Sequence, residues 1–354
     1  MPIKNEVEAK WLKVKTVGLV SLSSGILGEE SVSHEYEIGM KRLREYGLEV
    51  KVMDYALKGI DYIKNHPEQR AEDLINAFRD PSIDMILCAI GGDDTYRLLP
   101  YLFENDELKN VVTEKIFLGF SDTTINHFML HKVGLRTFYG QSFLPDVCEL
   151  DNEMLPYSRW YFEELIETGR IAEIRPSNIW YDEREDFGVD AVGTKRISHE
   201  NQGFELLQGN PVFSGEILGG CIESMYDMFD HSRYEDTVLL CEKYRLFPTL
   251  EKWRGKILLI ESSEEQPDPR RYQKMVMTLK ETGIFRVING VIVGKPMNEL
   301  YYEEYKNILI NTVADEKLPI LYNVNIGHAT PRCIIPFGRK AHVNADEQVI
   351  RFEE

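Results

Sequence analysis

Short apolar runs alternate with amphipathic stretches along the first part of the chain, and each run has the length of a strand. Residues 16–22 form the first run. Residues 33–46 repeat apolar positions at helical spacing until Gly47, the residue type that most readily closes a helix. Residues 48–53 read as a second strand, 67–79 as a helix with Pro67 in its first turn, and 83–90 as a strand buried on both faces. Beyond Gly91 and Gly92 the pattern recurs, with a helix over 94–103, an apolar strand over 116–120 and a helix over 123–132. Strand–helix alternation of this kind predicts a parallel sheet with helices packed on it.

Between residues 150 and 197 the periodicity fades into acidic, aromatic and proline-containing segments such as RPSNIWYDEREDFG, which predict a connection and an exposed loop. A boundary near residue 170 divides the chain into domains of 1–170 and 171–354. The second mixes predicted strands at 213–218, 256–260 and 290–293, around Val343 and at 349–352, with helices near 222–230, 269–282 and 301–313. That is an α/β or α+β domain. A chain of 354 residues exceeds the usual size of one core, which agrees with two domains.

Composition narrows the partners. With 43% hydrophobic and 28% charged residues the chain has the balance of a folded globular protein. Its formal charge of −18, with no cluster of Lys and Arg, opposes binding to phosphate backbones and anionic lipid surfaces, so neither nucleic acid nor membrane is expected as a partner. Cys88, Cys148, Cys221, Cys241 and Cys333 are odd in number, scattered and without CxxC spacing, which predicts reduced thiols. The opening MPIKNEVEAKWLKVK lacks an apolar export core, and no stretch approaches the roughly 20 apolar residues of a membrane helix. A cytoplasmic location is expected.

In open parallel sheets ligands bind beyond the carboxyl ends of strands, which directs attention to the sharp strand-to-helix turns. In EKIFLGFSDTTINHFML, Ser121 follows a buried strand at once and starts a helix, so its hydroxyl projects from a tight turn where helix amides favour developing negative charge. The competing reading is an ordinary N-cap serine. In DMILCAIGGDDTYRLLPYL, the pair Gly91 and Gly92 permits close backbone approach, and with the Asp122 amide it would form an oxyanion hole if the two turns lie side by side. The plainer alternative is a tight turn.

A serine nucleophile needs a base. Among eight histidines, His328 in NVNIGHATPRCIIPFG follows an apolar run and Gly327, in a loop that Pro331 keeps out of helix. His127 and His131 stand at helical spacing, yet no HExxH or third ligand accompanies them, and they read as helix-face residues; no metal site is expected. An orienting acceptor is offered by GKILLIESSEE, whose apolar strand ends on Glu261, with Glu264 and Glu265 competing for the role.

Taken together, TVGLVSLSS, AIGGDDTYRLLPYL, LGFSDTTINHFML, GFELLQG, SGEILGG, LLIESSEE and IGHATPRCIIPFG resemble, in order, the segments of the LD-carboxypeptidase and microcin C immunity-type serine peptidase family. The pairing of GFSD with the later GH and its proline is the most specific part. The resemblance implies Ser121 as nucleophile, Glu261 and His328 as its partners, and the amides of Asp122, Gly91 and Gly92 as oxyanion hole. It further implies an N-terminal Rossmann-like parallel-sheet domain, a C-terminal swivelling-type β/α domain, a site between them, a homodimer, and neither metal nor organic cofactor.

The segment around Trp180 looks more like the immunity branch, whose members cleave an acyl-adenylate-like amide, and makes Trp180 the candidate for stacking on a nucleobase; ordinary loop packing is the alternative. Two positions depart from that branch. Cys221 follows Gly219 and Gly220 where an asparagine is common, and Glu265 stands four residues past Glu261, where a basic group would suit an acidic acyl part. Glu265 is closer to the cell-wall branch, which removes terminal D-alanine from murein tetrapeptides. The expected substrate is therefore a small peptide or aminoacyl-nucleotide. A different class is suggested by GGDDT, which resembles the GGDGT phosphate turn of NAD kinase-like enzymes, although Asp94 stands where that turn has its last glycine. A noncatalytic binding protein on the same scaffold is the third reading.

Overall fold

The computed structural model describes residues 13–353; the first twelve residues, which carry most of the N-terminal reading, and Glu354 lie outside the described residues. The first sheet begins with β1 (Thr16–Val20), β2 (Glu49–Val52), β3 (Met85–Cys88), β4 (Ile116–Gly119) and β5 (Thr137–Tyr139). All five run parallel, in the order β5, β4, β3, β1, β2. Every residue of β1 and β3 is buried, as expected of strands covered on both faces.

The chain continues through β6 (Glu173–Ile174), a separate hairpin of β7 (Ile179–Tyr181) and β8 (Ser198–Glu200), then β9 (Glu205–Gln208), β10 (Val212–Cys221), β11 (Ile257–Glu261), β12 (Gly290–Gly294), β13 (Ile320–Val324), β14 (Ile335–Phe337), β15 (Lys340–Asn344) and β16 (Val349–Phe352). The second sheet has the order β6, β16, β15, β10, β11, β12, β13, β9. Its centre, β10 to β13, is parallel, and antiparallel strands flank it on both sides. The fold is thus mixed α/β, a parallel-sheet N-terminal part followed by a second β/α part.

Two features place the site. β3 and β4 are neighbours, with Leu87 opposite Leu118, so the Gly91–Gly92 turn and the Ser121 turn emerge side by side. β10 and β11 are also neighbours, and their last residues, Cys221 and Glu261, stand opposite each other. A side chain on Gly220 would run into the Thr124 hydroxyl and the Tyr139 ring, so the first and second sheets come close at the strand ends that carry these residues.

Several elements differ from the sequence reading. The helix expected over 94–103 is a 3-10 turn, Thr95–Leu98, followed by a helix over Leu99–Phe103; Pro100, which has no amide hydrogen, suits the first turn of the second piece. Residues 150–197 are not one exposed loop. They include a helix, Pro156–Thr168, and the β7–β8 hairpin, whose approach is held by buried Glu149 between Arg184 at 2.6 Å and Arg196 at 2.8 Å. β14 leaves the C-terminal part to pair antiparallel with β5, so the first sheet is completed by residues far beyond 170. Among the described residues no helix is long and apolar enough to cross a membrane.

Candidate active site

β4 ends in Gly119, and the chain turns so sharply after Phe120 that Ser121 adopts a φ of 66°, in the left-handed region that costs a non-glycine residue energy. The hydroxyl of Thr124 donates to the Ser121 carbonyl at 2.7 Å and holds the turn. Asp122, next in the chain, is buried and accepts from the Ser23 hydroxyl at 2.6 Å and the Thr95 amide at 2.9 Å. Burial, with Asp94 and Asp93 nearby, raises its carboxyl to about 6. As the second residue of a helical turn, Asp122 has an amide without an intrahelical acceptor.

Gly91 lies against this turn. A methyl group there would stand 2.5 Å from Ser121 Cβ, 2.6 Å from its Oγ and 3.2 Å from the Asp122 nitrogen. Gly92, at φ 153°, packs on Ser23 and Ser24. Asp94 of the same turn is bound by fully buried Arg70 at 2.5 Å, so it serves the fold and is not free to meet a phosphate or its counter-cation.

Glu261 and His328 arrive from the second sheet. Glu261 is 1% exposed, and its Oε2 lies 2.7 Å from His328 Nδ1 and accepts the His328 backbone amide at 3.2 Å. Gly327, at φ 87°, permits this approach, because any side chain there would collide with the Glu261 carboxylate. The other oxygen, Oε1, accepts from the Tyr139 hydroxyl at 2.6 Å, and Tyr139 in turn accepts from the Ser121 amide at 3.3 Å. On the far side of the ring, His328 Nε2 stands 3.0 Å from Ser121 Oγ. Hydroxyl, imidazole and carboxylate from three distant segments therefore form one continuous chain.

Nε2 has a second neighbour, Glu264 Oε2 at 2.9 Å. Burial opposes the charged ring, but Glu261 and Glu264 together outweigh it and raise His328 to about 10. The ring also meets Phe120 edge-on at 5.0 Å, and the Arg332 guanidinium lies over that phenyl ring.

Ser121 opens onto a small cleft shared with Gly92, Asp93, Cys221, Glu223, Asp227, Arg233, Glu264 and Glu265. Cys221 is buried, its thiol 3.2 Å from Glu223 and its amide bound to Thr124. Glu265 is paired with Arg233 and, at 2.6 Å, with Arg271. Arg233 also meets Asp227 at 3.1 Å. Crowding and burial raise the carboxyls of Glu223 and Asp227, the latter to about 7.

Trp180 does not line this cleft. It is 7% exposed, stacked on His199 with ring centres 4.2 Å apart, and Lys295 lies 5.0 Å from the indole. Its neighbour Tyr181 donates its amide to the Thr330 carbonyl at 2.9 Å, tying the hairpin to the His328 loop. Of the histidines set aside, His127 is fully buried, its ring between Thr137 Oγ1 at 2.7 Å and the Gly119 carbonyl at 3.1 Å. Sequence reasoning missed Tyr139, Glu223, Asp227 and Arg233, none of which stands in a motif; a buried tyrosine ending a three-residue strand was the only available signal for Tyr139.

Fold and comparisons together define a peptidase-type hydrolase with a mixed α/β fold. The chain belongs to the LD-carboxypeptidase family: residues 17–140 match its N-terminal domain and residues 214–343 its C-terminal domain. A MccF-like protein from Streptococcus pneumoniae, solved in complex with AMP, is 64% identical and superposes with a TM-score of 0.95, covering 96% of this chain and 99% of its own. A putative carboxypeptidase of Vibrio cholerae is 26% identical over 88% of this chain and 87% of its own length. The microcin C7 self-immunity protein of Escherichia coli is 24% identical over 81% of this chain and 78% of its own. Structures of that immunity protein include complexes with aspartyl sulfamoyl adenosine and with glutamyl sulfamoyl guanosine; at 20% identity and TM-scores of 0.78 and 0.77 they share the fold.

Proposed function

We propose that the chain is a serine peptidase or amidase in which Ser121 is the nucleophile, His328 the general base and acid, and Glu261 the group that orients the imidazole. The observation that carries this reading is the pair of contacts on one ring, 2.7 Å from Nδ1 to Glu261 and 3.0 Å from Nε2 to Ser121 Oγ. With its Nδ1–H given to Glu261, the neutral ring turns the Nε2 lone pair toward the hydroxyl. Ser121 Oγ attacks the substrate carbonyl as its proton passes to Nε2. The imidazolium returns that proton to the leaving nitrogen as the C–N bond breaks, and an acyl ester remains on Ser121. Water then gives a proton to His328 Nε2 as its oxygen attacks the ester carbonyl, and the imidazolium returns that proton to Ser121 Oγ as the ester bond breaks, releasing the acid. The amides of Asp122 and of the Gly91–Gly92 turn receive the oxyanion; the closeness of Gly91 to Ser121 and the Asp122 nitrogen supports this assignment.

Within this class the substrate is a small peptide-like amide, an aminoacyl-nucleotide of the processed microcin C type, and Trp180 meets the nucleobase by giving up its stack on His199. The AMP complex of the 64% identical protein supports the nucleotide part. A second reading, release of D-alanine from a murein tetrapeptide, is favoured by Glu265: among the described residues that line the cleft Arg233 is the one cation, and Asp227 and Glu265 already engage it instead of an acidic acyl group. Relatives at similar distance include a probable murein peptide carboxypeptidase of Bacillus subtilis, 26% identical over 88% of this chain. A homodimer, as the resemblance implies, is part of the proposal. Purified protein assayed side by side on an aminoacyl sulfamoyl adenosine and on murein tetrapeptide separates the readings. Turnover of the nucleotide is expected; turnover of the tetrapeptide alone selects the second reading, and hydrolysis of neither removes both.

A further inference from the structure

Nε2 of His328 is offered two partners at nearly the same distance, the Ser121 hydroxyl at 3.0 Å and the Glu264 carboxylate at 2.9 Å. These contacts require different protonation states of the ring. With Nδ1–H directed at Glu261, a neutral imidazole presents a bare lone pair at Nε2, which accepts from a hydroxyl but is repelled by a carboxylate oxygen. A 2.9 Å approach of carboxylate to ring nitrogen needs a proton between them. In this arrangement the ring is the imidazolium, clasped by a carboxylate on each nitrogen, and it cannot take a proton from Ser121.

We propose that Glu264 is a positioning residue that controls the catalytic base: it holds Nε2 while the cleft is empty and gives it up when substrate enters. The inference rests on the reading of Ser121, His328 and Glu261 as the reacting set. Three observations carry it. Glu264 lines the same cleft as Ser121, and its side chain is 66% exposed, so it has room to swing away. Glu265 beside it is fixed by Arg233 and Arg271, whereas the ion pair formed by Glu264 is with the imidazole. A leaving nitrogen must come within about 3 Å of Nε2 to be protonated, and that is the place Glu264 occupies, so carboxylate and bound substrate exclude each other.

The electrostatics agree. The hydrogen bond to His328 lowers the Glu264 carboxyl to about 2, and the ring is raised to about 10. The charged groups around the ring are Glu261 at the end of β11, Glu264 just beyond it, Glu223 from the helix Ile222–Asp227, and Arg332, which reaches the His328 carbonyl at 3.4 Å and Phe120 at 4.6 Å. Tyr139 acts on it through Glu261, and Arg233 through Glu264. Glu264 is the exposed carboxylate of this set, and therefore the one able to leave at low cost.

The test is the pH dependence of Ser121 phosphonylation by a fluorophosphonate, which requires the unprotonated base and no knowledge of the substrate. Labelling is expected to rise with pH, and Glu264→Gln should move the midpoint down by at least about one unit, making labelling roughly tenfold faster at pH values well below the wild-type midpoint. An amide keeps the shape and removes the charge, so a merely structural role would change the amplitude and not the midpoint. NMR titration of the His328 ring in both proteins should give the same displacement. Labelling with unchanged midpoint and unchanged ring titration overturns the role of Glu264 alone. A wild-type protein that is never labelled at Ser121 overturns the triad reading and this inference with it.

Discussion

Replacing Gly91 by alanine tests how tightly the nucleophile turn is built. The new methyl would lie 2.5 Å from Ser121 Cβ and 2.6 Å from Oγ, whereas carbon atoms in contact normally stand about 3.5–4.0 Å apart. Relief therefore needs a movement of about 1 Å. The obstacle is not the far end of a flexible side chain: Ser121 sits on a strained turn fixed by Thr124, and Gly91 follows a central strand paired on both sides. A displacement of this size costs on the order of 10²-fold in rate, and loss of one oxyanion donor costs about 10²–10³-fold. Overpacking should lower stability by about 1–3 kcal/mol. Hydrolysis and fluorophosphonate labelling of Gly91→Ala should thus fall at least about a hundredfold while thermal unfolding shows a folded protein. Gly47→Ala is the companion: at φ 80° with nothing within 4 Å of an added methyl, it should lose about 1 kcal/mol of stability and no activity. Activity of Gly91→Ala within a few-fold of wild type would refute the placement of this turn against the nucleophile.

Glu261→Gln should lower kcat about 10⁴-fold, because the amide no longer selects the productive tautomer, and should shift the His328 titration to lower pH. The same ring links to stability: raised to about 10 from an ordinary 6.5, it stabilises the fold fully below pH 6.5 and loses that contribution as pH rises toward 10, so unfolding midpoints should decline over this window and less so in Glu264→Gln. Arg70→Met leaves buried Asp94 with only the 3.9 Å pair to Arg97 and should cost up to about 3 kcal/mol in denaturant unfolding. Trp180→Phe should raise KM for an aminoacyl-nucleotide more than for a murein tetrapeptide; equal effects on both would remove the nucleobase role.

The parallel sheet was legible because its inner strands β1 and β3 are fully buried and read as apolar runs, and because Gly47 and Pro67 punctuate the helices between the strands. Ser121, Glu261 and His328 were legible for a related reason. Each stands where a strand ends, so pattern alone points to the rim of a sheet, and the GFSD and GH segments add chemistry. What local pattern does not encode is which distant segments meet. The pairing of β14 with β5 is three residues long and spans the whole second part of the chain. Tyr139 gains its importance only when the second sheet brings Glu261 to its hydroxyl. Asp227 ends the helix Ile222–Asp227 and Arg233 lies in the polar segment after it, and they enter the cleft through ion pairs with Glu265 and each other. The hairpin bearing Trp180 looked like a loop because its strands are three residues long and the segment between them is charged; its order comes from Glu149, Arg184 and Arg196, and from the bond to Thr330.

The most direct test of the account is where a fluorophosphonate attaches. Peptide mapping by mass spectrometry should find a single adduct on Ser121 in the wild-type protein, none in Ser121→Ala, and only a trace in His328→Ala. An adduct on another serine, or undiminished labelling without the imidazole, would contradict the proposed relay of serine, histidine and glutamate.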